Sequence, residues 1–205
     1  MLRTISLFVL IFLAAALCVH SQETRVEVEK ISISEEAKNA MPELRAAHCY
    51  RLWIVLPDSA ESLSAIFGSD ERILEIKTST TFWQNDYCGF LASSSNAGLL
   101  QLHPEMHYDS WVTIGIENSK SSGSMYFLES PGQPWAVNFE AGQALTMSDS
   151  IGGSWFALPG QPNTLPREGK VLIGQFTTEG AFEGVVNCQY LTKSGEAVLV
   201  NGLTF

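Results

Sequence analysis

The sequence predicts an all-β domain, an antiparallel β-sandwich or jelly roll with one short helix near residues 58–67. Three observations lead there. Nine or ten short runs are rich in branched and aromatic residues. Turns carrying Gly, Pro and Ser separate them. The helix–strand alternation of a parallel α/β fold is missing.

Each element has its own local reason. Residues 22–45 are a polar, charged lead-in, and "RVEVEKISIS" alternates well enough for a marginal edge strand; a flexible segment accounts for it equally. "CYRLWIVL", residues 49–56, reads as a strand. In "PDSAESLSAIFG", Asp58 and Glu61 have capping-box spacing and Gly68 can stop a helix, so a helix of about two turns is expected. "RILEIKTSTTFW" returns to strand. In "SWVTIGIE", Val112, Ile114 and Ile116 fall on one face and Trp111, Thr113, Gly115 and Glu117 on the other, which predicts a half-buried strand. "MYFLE", "WAVNF", "QALTM" and "SWFALP" are further short strands. "KVLIGQFTT", "AFEGVVNCQYL" and "EAVLVNGLTF" close the chain, joined by glycine-bearing connections of hairpin type. Residues 46–205 are read as one domain.

The N-terminus predicts where the chain goes. Arg3 precedes an uncharged run from Ile5 to Val19, too short to span a bilayer core of about 30 Å comfortably. Val19 and Ser21 suit a cleavage site, so residues 1–21 are expected to be a signal peptide cut after Ser21. The mature chain, secreted and without a membrane span, then keeps 11 basic and 22 acidic residues, a net charge of −11. That balance argues against nucleic acid, which needs clustered Lys and Arg. Cys49, Cys88 and Cys188 would be left. In an oxidising compartment, one disulfide plus one thiol is the expected arithmetic. Cys49–Cys188 is the expected pair, because both lie in strands near the two ends of the domain.

Few places resemble chemistry. His103 and His107 flank Glu105 in "HPEMHYD", but the order is not that of a metalloprotease helix, and a strand follows at once. A third ligand would have to come from His48 or Asp109. The favoured reading is a polar loop feeding a buried strand, with no metal site. "GGSWF" lacks the last glycine of a nucleophile elbow, and Cys88 in "DYCGF" lacks papain-type neighbours. Asp149 in "SDSIGG" fits a turn better than a calcium site, which needs six to eight oxygens. No catalytic residue and no cofactor is assigned. Of the tryptophans, Trp83 is the best ligand platform, because Gln84, Asn85 and Asp86 follow it with hydrogen-bonding side chains.

"TTFWQNDYCG", "DSWVTIGIE", "GGSWFALP", "GQFTTEGAFEGVVNCQ" and "NGLTF" together resemble a pattern in uncharacterised secreted or surface β-rich proteins of marine bacteria and algae. The resemblance spans roughly residues 46–205. It implies the fold and the compartment and transfers no site residue. The leading functional expectation is a secreted, non-enzymatic binding or structural module of the extracellular matrix or cell surface, with a glycan or an extracellular protein as partner. A carbohydrate-binding or carbohydrate-active protein is the second reading. An acidic matrix protein that contacts calcium or mineral is the third.

Overall fold

The computed structural model describes residues 23–205. The expected signal peptide and its cleavage site lie outside the described residues. Eleven strands and two short helices follow one another: β1 (Arg25–Ile31), α1 (Glu35–Ala40), β2 (His48–Val55), β3 (Ala60–Gly68), β4 (Leu74–Thr78), β5 (Trp111–Val112), β6 (Tyr126–Leu128), α2 (Trp135–Glu140), β7 (Leu145–Met147), β8 (Gly153–Phe156), β9 (Lys170–Thr178), β10 (Phe182–Thr192) and β11 (Ala197–Thr204). They form two antiparallel sheets, so the all-β sandwich expectation holds. One sheet has the order β1-β2-β9-β5. The other runs β6-β8-β3-β10-β4-β7, with β11 added to β10.

The alternating side chains of β2 place Leu52 and Ile54 between the sheets, and β3, β4 and β10 answer with Leu63, Ile66, Leu74, Ile76 and Val186, all fully buried. Each such burial contributes about 1.5–3 kcal/mol. Phe82, Phe139, Phe176 and Phe182 pack at one end of this core, with ring centroids 5.4–6.2 Å apart. A second cluster lies under α1, where Ile33, Ala37, Leu44, Ala47 and Cys49 are buried together. Ser34 caps α1, its Oγ accepting from the Ala37 N–H at 3.2 Å.

Four expectations need correction. Residues 60–68 are strand β3, and the helix expected near 58–67 does not form. Asp58 sits in the turn before β3, and Ser62, Ser64, Ile66 and Phe67 are weak helix formers. Pairing with β10 on one side and β8 on the other outweighs a capping signal worth about 1 kcal/mol. "WAVNF" is helix α2, because Trp135, Ala136 and Phe139 share the buried face at helical spacing while Val137 is exposed. "SWVTIGIE" is strand only at Trp111–Val112. The Thr113 hydroxyl then accepts from the Ile116 N–H at 2.9 Å and donates to its carbonyl at 2.7 Å, turning the chain. Gly115 holds that turn at φ +63°, and a Cβ there would run into the Asn163 carbonyl. Val112, Ile114 and Ile116 are buried as expected, but so are Trp111 and Thr113. Last, β9 and β10 belong to different sheets, so the connection at 179–181 crosses the sandwich, and of the two connections expected to be hairpins β10–β11 is one and β9–β10 is not.

The lead-in is structured through residues 25–31, where β1 pairs with β2 as the edge of the first sheet. Among the described residues no helix is long and apolar enough to cross a membrane.

Candidate functional site

The cysteines do not form the expected bridge: Cys49, Cys88 and Cys188 are all free. Cys49 points to the cluster under α1, while Cys188 lies in the core between the sheets. One sheet thus separates the two thiols, and a disulfide needs Cα atoms within about 7 Å. Burial pushes Cys49 up to about 11 and Cys188 up to about 12. Cys88, half-buried, is pushed up to about 12 by burial first and by the charge of Asp109 second. All three remain protonated near neutral pH and are poor nucleophiles.

The histidine stretch resolves into a short 3₁₀ turn at Pro104–Tyr108. His103 Nδ1 pairs with Glu105 Oε1 at 3.1 Å, whereas His107 Nε2 meets the Leu100 carbonyl at 2.9 Å. The two rings serve different partners. Among the described residues, no group of three or more His, Cys, Asp or Glu converges on a point suited to a metal. Asp149 lies in a turn, where its Oδ1 accepts from the Gly152 N–H at 2.7 Å.

The turn carries much of the buried polar chemistry. Asp109 has no solvent exposure. Its Oδ1 accepts from the Asn85 N–H at 2.8 Å, and its Oδ2 has no partner among the described residues. Burial raises its pKa well above the usual carboxylate range, and Glu140 adds to the rise. Ser110 Oγ donates to the Trp83 carbonyl at 2.7 Å and accepts from the Thr177 N–H at 3.0 Å. Gln175 Nε2 donates to the carbonyls of His107 and Asp109, both at 2.9 Å. These bonds fasten residues 107–110 to Gln175 and Thr177 of β9 and to the Trp83 carbonyl.

The predicted platform residues separate in space. Trp83 is half-buried, leaning on the cluster under α1. Gln84 turns inward and donates to the Phe139 carbonyl at 2.8 Å. Asn85 is buried, and its Oδ1 accepts from the Tyr87 N–H at 3.0 Å, closing a turn. Asp86 is exposed and does not line the cavity that Trp83 lines. Of the four, Trp83 and Gln84 reach that cavity.

The cavity is a cleft of about 310 Å³, within the usual range of ligand sites. Phe82, Ala47 and Thr178 are buried at its floor, Trp83 forms a wall, and Thr80, Thr81, Glu43 and Glu179 stand exposed at its rim. Strand pairing explains the assembly. Phe82 bridges Thr178, and the Trp83 N–H donates to the Thr177 carbonyl at 2.7 Å. Thr178 Oγ1 lies 2.6 Å from Thr78 Oγ1 and 2.9 Å from Thr80 Oγ1, and accepts from the Gly180 N–H at 3.0 Å. Those three partners saturate the Thr178 hydroxyl and leave Thr80 as the solvent end of the relay. Gly180 is required here: a Cβ would lie 2.5 Å from Thr78 Oγ1 and 2.8 Å from the Thr80 nitrogen. The indole N–H groups of Trp53, Trp135 and Trp155 each donate inside the protein. Those of Trp83 and Trp111 have no acceptor among the described residues.

Sequence reasoning missed Thr80, Thr178, Glu43 and Glu179. The threonine run in "TSTTFW" was a usable signal, but only the register brings it against "TTEG" of β9. A second cavity, about 400 Å³, lies on the outer face of the larger sheet, lined by Phe67, Leu128, Phe156, Leu158 and Leu199 among others. Its polar groups are few, and the Ser64 hydroxyl there already donates to the Gln189 carbonyl at 2.9 Å. Compared with family models, curated proteins and solved structures, the chain matches none.

Proposed function

We propose that the protein is a non-enzymatic extracellular binding module of the β-sandwich type, and that the Trp83 cleft is its recognition site for a carbohydrate. The observation that carries the reading is the composition of one cleft: an indole wall with a free N–H, a shelf of threonine hydroxyls and a carboxylate rim. A sugar ring presents C–H groups on its face and hydroxyls around its edge. The face stacks on indole, and the edge donates to carboxylates and exchanges hydrogen bonds with hydroxyls, which both donate and accept.

Binding without catalysis is supported by where the perturbed groups lie. Asp109 is sealed from solvent and outside the cleft, and the thiols are held protonated. The extracellular setting rests on the leader-like residues 1–21.

A glycan array probed with protein beginning at Gln22 tests the function. Binding to a defined set of glycans is expected, with loss of signal in Trp83→Ala. An array blank under conditions in which the protein melts cooperatively refutes the carbohydrate assignment. N-terminal sequencing of secreted material checks the compartment; retention of Ile5–Val19 would contradict it.

A further inference from the structure

We infer that the Trp83 cleft selects amino sugars, binding a protonated glucosamine-type glycan in preference to its neutral or acidic counterparts. This rests on the carbohydrate reading of the same cleft. Glu43 comes from the turn before β2, and Glu179 from the crossing between β9 and β10. Both are exposed, and neither forms an ion pair with any described residue. No Lys, Arg or His lines the cleft. Elsewhere some acids do have a cation beside them, Glu27 with Lys170, Glu75 and Glu183 with Lys77, Glu117 with Arg51, and many exposed acids do not; what sets Glu43 and Glu179 apart is that they share one cleft with an indole. The cleft therefore holds two carboxylates whose charge is uncompensated, beside an indole ring.

An ammonium group suits each of these features. It donates up to three hydrogen bonds, which carboxylates and the Thr80 hydroxyl accept. It is attracted to the negative face of an indole. A sulfated or uronic glycan would instead set like charges against Glu43 and Glu179. The chain's net charge of −10 adds to the same field.

Three hexasaccharides of one linkage, built from glucosamine, N-acetylglucosamine or glucose, isolate the contribution of the amine. Titration calorimetry at low ionic strength, at a pH where the amine is protonated, should show the glucosamine hexamer binding roughly five- to tenfold tighter than the other two. That preference should shrink as salt rises. It should vanish in a Glu43→Gln/Glu179→Gln variant, whose exposed substitutions leave the melting temperature nearly unchanged. Equal affinity for the three hexamers, or a preference that survives in the double variant, overturns the selectivity while leaving the carbohydrate reading in place. Failure of all three to bind, in a protein that binds no glycan on the array, removes both.

Discussion

Ser110 stands between two polar regions with opposite fates. On one side is the Asp109 turn, where Asp109, Asn85 and Gln175 are almost wholly buried. On the other is the Trp83 cleft, where Thr80, Thr81, Glu43 and Glu179 face solvent. Both are rich in oxygen and nitrogen, and both sit against β9. In the turn, polar atoms replace absent strand pairing: β5 has two residues, and side chains fasten what a longer ladder would have held. In the cleft, the ladder is already secured by Phe82 and Trp83 on β9, so the side chains at the rim are spare. Polar residues in the first region should cost stability when changed, and in the second they should cost binding.

The sharpest way to break the buried side is Val112→Asp. Val112 is fully buried in the core and paired with Gly174. An unpaired carboxylate there costs several kcal/mol even after its pKa adjusts, enough to consume most of a domain's stability. The expected result is insoluble protein or loss of a cooperative thermal transition. A soluble variant melting within a few degrees of the parent would show that β5 is not an integral part of the core.

A smaller cut is Ser110→Ala. It strands the Thr177 N–H and removes one partner of the Trp83 carbonyl, both inside the protein. A stability loss of about 1–3 kcal/mol is expected in urea unfolding. Because those same bonds hold the wall of the cleft, glycan affinity should fall with it. Unchanged stability would mean that water replaces the hydroxyl, and that the turn is less closed than its burial indicates.

How much of this was legible in the sequence depends on the range of the interaction. β2, β4, β9, β10 and β11 carry their pattern locally and were readable. β3 was not, because Asp58 and Glu61 imitate a cap while the decisive partners, β8 and β10, lie far along the chain. α2 failed for the opposite reason: five residues of "WAVNF" fit either period, and only the buried trio Trp135, Ala136 and Phe139 separates them. Trp83 was legible as a large aromatic among polar neighbours. Its true companions were not, since Thr178 and Glu179 arrive through β-sheet register and Glu43 through the packing of α1. The cysteine expectation failed on a matter of faces: both residues are in strands, but one sheet lies between their thiols.

Acid–base behaviour separates the two regions again. Asp109 is raised by burial, so the folded state holds its proton more tightly than the unfolded chain does. Stability from this group is therefore fully present below the unfolded value near 3.9, and is lost as pH rises toward the folded value. Asp109→Asn keeps an acceptor for the Asn85 N–H and removes the titration. As pH rises above that unfolded value, the variant should gain stability relative to the parent until the folded Asp109 has itself lost its proton. Parallel melting curves across that range would show that Asp109 does not titrate there.

The gentlest test touches only the open side. Thr80→Val keeps shape and branching and removes one exposed hydroxyl. Thr178 retains the Thr78 hydroxyl and the Gly180 N–H as partners, so the relay loses its solvent end and no buried group is orphaned. Stability should change by no more than about 0.5 kcal/mol, as for surface positions generally. The affinity for the glucosamine hexamer should fall several-fold, by the loss of one hydrogen bond to a charged group at about 1.5 kcal/mol or less once solvent competes. The reverse outcome would be telling. A loss of 1–2 kcal/mol in stability with affinity intact would move Thr80 from the binding rim to the structural group, and the line between the two regions would then run on the solvent side of the threonines instead of through Ser110.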